Sequence, residues 1–423
     1  MYRAADGEKP VFSGGRRITG FAPITDAAVR ELLPLQVRNK VLCADLKAQG
    51  IRRYGSYEPC GYGSGKGFRT RPMFELYWNG KPLQVARWPN KGYVRIAGVS
   101  KENTYKTWKG TASRKGVIQY HEDRPTRWAR EKDLWLYGYY CWDWADSYEK
   151  VASITTSNKT ITLETPCHRY GFRKGQRYHA INALSEIDAP GEYHLDRETG
   201  KLYLYPPGDI TKANVEVSLT SRVMLSLSDA DHIVFQGLHL DLGQADAVRV
   251  EGGSSCVLAG CRITRFGGDG VIIKDGSDHH LLGCDIALMG RGGVRVKGGD
   301  RKTLTPSGHV IENCHIHDFS RIHHTYTPAV HADGVGIRIA HNLMHRSTSS
   351  AMRVEGSDHL VEFNDVHSVL TESDDQGGVD MWGNCTYRGN IDRYNAWHHI
   401  SGLVNLNCDK KQDNLSTTRY GQQ

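Results

Sequence analysis

The sequence predicts an all-β protein, a right-handed parallel β-helix with an inserted β-sandwich-like domain. Two observations carry that prediction. One is a 23-residue repeat in the C-terminal half. The other is a change of texture between residues 22 and 215, where the repeat stops and Trp and Tyr become frequent.

The repeat is visible by alignment of the chain on itself. Segments starting at Leu225, Val248, Val271 and Val294 read LSLSDA, VRVEGG, VIIKDG and VRVKGG, each 23 residues after the last. A second marker stands thirteen residues into three of these rungs, at Leu238, Cys261 and Cys284, with Gly237, Gly260 and Gly283 before it. The pattern then loosens, restarting at Val330, Met352 and Val379 after offsets of 36, 22 and 27 residues. The second marker becomes Cys314, Asn342, Asn364 and Asn395. A leucine-rich repeat needs an LxxLxL signature, and a left-handed hexapeptide helix needs a six-residue period; neither is present. Coils of short parallel strands remain, stacked at about 4.8 Å, so that equivalent positions form ladders. The Cys and Asn markers read as a buried structural ladder.

The domain order follows. Residues 1–21 contain one rung, PVFSGGRRITGF, and residues 22–215 form the inserted domain. Within it, ITTSNKTITLET and EYHLDRETGKLYLYPP read as hairpins, and a short helix is expected around Ala27–Leu35. Its aromatics are expected mainly in the core. Trp142, Asp143, Trp144 and Asp146 are the exception, a pair of Trp with carboxylates between them that could overhang the solenoid and stack on a sugar. Residues 216–405 form the β-helix, and 406–423 an irregular tail. The opening string MYRAADGEKP lacks an apolar core for a signal peptide. The rung at residues 10–21 reads as one of a solenoid begun earlier, so a fragment of a longer chain is expected.

Composition narrows the function classes. The chain has 423 residues, 46 Gly and a net charge of +7. Lys and Arg are interspersed with Asp and Glu, which leaves no nucleic-acid footprint. No apolar run approaches the ~18–20 residues of a membrane helix. The ten Cys show no CxxC spacing for zinc and no dense disulfide framework, so no metal ligand set is assigned. A monomer is expected.

Chemistry is expected on the outer face of the rung starts. Side chains alternate in a strand, and the first and third positions are apolar, as in Val330/Ala332, Met352/Val354 and Val379/Met381. The second positions therefore face out, reading Arg249, Ile272, Arg295, His331, Arg353 and Asp380. So do the fourth, reading Glu251, Lys274, Lys297, Asp333, Glu355 and Trp382. The last three rungs gather His331, Asp333, Arg353, Glu355, Asp380 and Trp382 into one patch. The string TESDDQGG adds Glu372, Asp374 and Asp375, and the insertion at residues 317–328 adds His323, His324 and Tyr326 as a groove wall. Such a patch has the carboxyl pair that a glycosidase needs, a proton donor and a nucleophile or base. Its Arg, His and Trp could bind sugar. The bland alternative is a solvated salt-bridge ladder, with Arg353 paired to Asp333 or Glu355.

The strings EKPVFSGGRRITGF, QVARWPNKGY, DWADSYEKV, DAPGEYHLDRETGKLYLYPP, GVGIRIAHNLMH, GSDHLVEFNDVH and TESDDQGGVDMWGN resemble β-helix proteins related to glycoside hydrolase family 141. The resemblance runs from the first rung to about Ser401. It implies a secreted or periplasmic enzyme acting on complex polysaccharide; characterised members of the family include an α-L-fucosidase acting on pectin and a xylanase. It also implies a catalytic pair of Asp about two rungs apart, which maps onto Asp333 and Asp374 or Asp375. His331, Arg353, Glu355, Asp380, Trp382, His324 and Trp144 are then the expected substrate-binding residues, and a poly- or oligosaccharide the partner. No cofactor is expected. Two rungs span about 9–10 Å of backbone, which favours inversion over retention. After Ser401 the sequence GLVNLNCDKKQDNLSTTRYGQQ has no rung, and an open last coil is expected.

Two other functions fit the same scaffold. A polysaccharide lyase would use Arg353 as base beside Glu355 and Asp380, with Ca²⁺ on acidic ligands. A non-catalytic glycan-binding solenoid would need no carboxyl pair at all. A polygalacturonase-like enzyme should carry G-H-G and R-I-K segments, and neither is present.

Overall fold

Three parallel sheets carry the repeat. The structure, a computed structural model, describes residues 1–66 and 73–401. It divides into two compact units, one of Met1–Gly15 with the chain from Thr220 onward, the other of Arg16–Leu219. The irregular tail expected at 406–423, and the end of the β-helix expected at 402–405, lie outside the described residues.

The first unit is a right-handed parallel β-helix. Its first sheet stacks Leu225–Ser228, Val248–Glu251, Val271–Lys274, Val294–Gly298, Val330–Val335, Met352–Ser357 and Val379–Asp380, all parallel. The register pairs Val294 with Val330, Val330 with Met352, and Met352 with Val379. Among the described residues the second and third sheets hold eight strands each, beginning with Tyr2–Arg3 and Val11–Ser13. Residues 1–15 thus supply two strands of a coil stacked on Val234–Gln236 and His239–Gly243.

Alternation explains the core. Val248, Val250, Val294, Val296, Val330, Ala332, Met352 and Val354 are buried, joined by Leu281, Ile311, Ile339 and Ile316 from the other two sheets. Stacked coils of this kind remove a continuous apolar column from water, the main favourable contribution to such a fold. One expected inward residue departs from the pattern: the last strand stops at Asp380, and Met381 is 48% exposed.

The second marker is a two-residue turn between the second and third sheets. Its first residue sits in the left-handed region, Gly at 237, 260 and 283, then Asn313, His341, Phe363 and Tyr394. Its second residue points inward. The Asn342 amide donates to Ile311 O and to Asn364 Oδ1, both at 3.0 Å. Asn364 repeats the pattern with Ile339 O at 3.0 Å and Asn395 Oδ1 at 2.9 Å. Cys261, Cys284 and Cys314 fill the equivalent places and lean on carbonyl oxygens 3.6 Å away. Buried turn carbonyls are thereby satisfied coil by coil.

The second unit is built mainly of antiparallel strands, including a sheet around Trp135–Tyr139, Asp146–Thr155 and Arg177–Ile181. The helix spans Ala27–Leu32, capped by the Asp26 side chain. Both hairpins form, Asp146–Thr155 with Thr160–Leu163 and Glu192–Asp196 with Lys201–Leu204.

Candidate functional site

The outer columns of the first sheet fall in the order the alternation requires. Arg295, His331, Arg353 and Asp380 are consecutive register partners, as are Lys297, Asp333 and Glu355. Glycine follows Asp333 within its strand. Gly298, Gly334 and Gly356 stack in register, and a Cβ on Gly334 (φ +124) would meet the Gly298 carbonyl.

Arg353 is the hub. Its guanidinium donates to Glu355 Oε1 at 2.8 Å and to Asp380 Oδ2 at 3.5 Å. The Tyr326 and Trp382 rings flank it, each with its centroid 5.6 Å away. Glu355 also bonds His331 Nε2 at 2.8 Å, from the coil below. The two carboxyls respond in opposite directions. The hydrogen bond from His331, then that from Arg353, outweigh burial and bring Glu355 down to about 2. At Asp380 burial prevails over Arg353 and Trp382 and raises the pKa, with Glu355 and Asp375 adding to the rise. Carboxyls driven apart in this way divide acid and base roles.

The remaining candidates sit as follows. Asp333 is bound by Lys297 Nζ at 2.9 Å, so the salt-bridge partner is Lys297 rather than Arg353. Asp374 and Asp375 lie in the loop before the last strand. Asp374 Oδ1 accepts the Asp375 amide at 2.9 Å, while Asp375 is exposed with φ +56. Asp375 is linked to the patch through its charge on Asp380. His324 pairs with Glu372 at 2.6 Å, joining the long insertion to that loop. Trp382 is half exposed but lies past the end of its strand, so its place comes from Arg353 rather than from strand register.

Trp144 belongs to the Arg16–Leu219 unit. It lies parallel to Trp142 at 6.3 Å, with the rings of Tyr62 and Tyr170 at its edges. The carboxylates around it turn inward, against the expectation of a polar sugar site between the two Trp. Asp143 forms a buried ion pair with Arg177 at 3.2 Å, and Asp146 accepts the Tyr137 hydroxyl at 3.1 Å. Buried charges need such partners, so these two carboxylates are not presented beside the Trp rings.

One set of residues escaped the sequence reading. On the third sheet, His317, His345, His367 and His398 stand on four successive coils. Each lies three residues after the Cys or Asn marker, a signal hidden by unequal offsets between coils. A second His column, His279, His309 and His359, accepts backbone amides in the turns at 3.1–3.2 Å and is structural.

A family model described as right handed beta helix region matches residues 246–344. Among solved structures, one described as a glycoside hydrolase aligns with a TM-score of 0.60 at 16% identity, covering 95% of this chain and 84% of that one. A second, described as the complex structure of XylC with xylose, aligns with a TM-score of 0.50 at 13% identity, covering 95% of this chain and 58% of that one. The shared property is the fold. No curated protein sequence matches the chain.

Proposed function

We propose that the chain is a glycoside hydrolase that cleaves a complex polysaccharide on the outer face of the coils at Val330, Met352 and Val379. The observation that carries this reading is the split between Glu355 and Asp380 across Arg353. One carboxyl is held ionised and the other pushed towards its protonated form, within a patch that offers the exposed Trp382 ring. A glycosidase needs a protonated carboxyl for the leaving oxygen and an ionised one for water or the anomeric carbon. Asp333 and Asp374 or Asp375 are the pair that the family 141 resemblance ranks first. The geometry adds Asp380 as a candidate proton donor. Plant polysaccharide as substrate and an exported location belong to the same proposal.

The lyase reading is weaker on a physical ground. Burial pulls Arg353 down, but Glu355 and Asp380 outweigh it and raise the guanidinium above its ordinary value. A lyase base must lose that proton. The test is the product of pectic and xylan oligosaccharides incubated with the chain. Hydrolysis yields new reducing ends without ultraviolet absorbance; unsaturated products that vanish with chelator would replace this reading with the lyase.

A further inference from the structure

The third sheet carries a cluster that the glycan reading does not use. Asp285 and His315 are register partners on adjacent coils, and His317 pairs with His345 on the next. Side-chain donor atoms of Asp285, His315 and His317 all lie within 4.8 Å of one another. Asp285 Oδ1 is 3.2 Å from His317 Nε2 and 3.6 Å from His315 Nδ1. His315 Nε2 faces His345 Nε2 at 2.8 Å. Two ring nitrogens so placed share one proton, so His345 holds the His315 ring from its far nitrogen and leaves Nδ1 turned to Asp285. His345 is 5% exposed, and its Nδ1 has no hydrogen-bond partner among the described residues.

The surroundings match a metal centre as well. The far nitrogen of His317, Nδ1, is 2.6 Å from Asp318 Oδ2, and Arg346 holds that carboxylate at 2.5 Å. A carboxylate behind a ligating imidazole fixes its orientation and raises its basicity, the usual outer shell of a bound metal. Two imidazoles with one carboxylate suit a late first-row divalent ion, zinc foremost. A stack of aromatic rings alone would need neither Asp285 nor Asp318.

We propose that Asp285, His315 and His317 bind one divalent transition-metal ion, zinc by preference, and that the ion staples two adjacent coils. Asp285 stands on the coil before the His315/His317 strand, so only the His-x-His pair is local in sequence. The His367, His398 and His399 end of the column differs: Asp365 pairs with His398 at 3.0 Å, but these groups are exposed. It serves as the internal control.

The experiment uses the full chain without an added histidine tag. Zinc chloride is titrated calorimetrically, and cobalt chloride is followed by its visible absorption. The expected result is one ion per chain with tetrahedral cobalt bands. Binding weakens about 100-fold or more in His315→Gln/His317→Gln, and about 10-fold or more in the milder Asp285→Asn. His398→Gln/His399→Gln keeps the wild-type affinity. Circular dichroism confirms that each variant folds, and Asp285→Asn preserves the test should the double variant fail to fold. Absence of stoichiometric binding to the folded wild type overturns the proposal. So does equal binding by folded Asp285→Asn, or loss confined to the His398/His399 variant.

Discussion

His331 Nε2 and Glu355 Oε2 lie 2.8 Å apart on neighbouring coils. This contact ties the second-position column of the first sheet to the fourth and helps to keep Glu355 ionised. It makes the patch a connected network rather than a set of separate surface charges.

The network has a pH signature. Glu355 is lowered from its ordinary 4.5 to about 2, chiefly by His331. A depressed carboxyl contributes stability that is present above its unfolded pKa and is lost as pH falls through the folded value. Glu355→Gln should therefore melt below the wild type at pH 6. The difference should shrink between about pH 4.5 and 2, as read by thermal melts across that range.

Glu149, buried in the Arg16–Leu219 unit, behaves in the opposite sense. Burial raises it to about 8, while a hydrogen bond from Ser147 only partly offsets the rise. Its contribution is complete below the unfolded pKa and declines as pH rises towards the folded one. Glu149→Gln should abolish that decline, giving a variant relatively more stable at pH 8 than at pH 4. Urea unfolding at the two pH values checks it.

Asn364 links three coils through its amide. Asn364→Ala leaves the Asn342 amide and the Ile339 carbonyl without their side-chain partner. At roughly 1–3 kcal/mol for each of the two buried orphans, the loss should reach about 2–6 kcal/mol. Chemical denaturation of the two proteins measures it.

The legible part of the fold was its period. The rung starts and the Cys and Asn markers occupy equivalent points of each coil, so the columns from Arg249 to Asp380 could be written from alternation alone. Trp382 could not be placed that way, because its strand ends at Asp380. Lys297 as the partner of Asp333 was one rung below the patch considered. The inward turn of Asp143 reflects a buried Arg177 far along the chain. The cluster at Asp285 was hidden because loops of different length separate its coils.

The carboxyls of the patch meet their most direct test in the activity of Asp333→Asn, Asp374→Asn, Asp375→Asn and Asp380→Asn, with Glu355→Gln, beside the wild type. Turnover of a pectic or xylan oligosaccharide is read as reducing ends, with the anomer released first followed by NMR. Measurable hydrolysis by the wild type is expected, with a loss of roughly 100-fold or more on removal of either member of the reacting pair. Binding of the oligosaccharide should persist in those variants. Full activity in all of these variants, or glycan binding with no turnover by the wild type, would contradict the account.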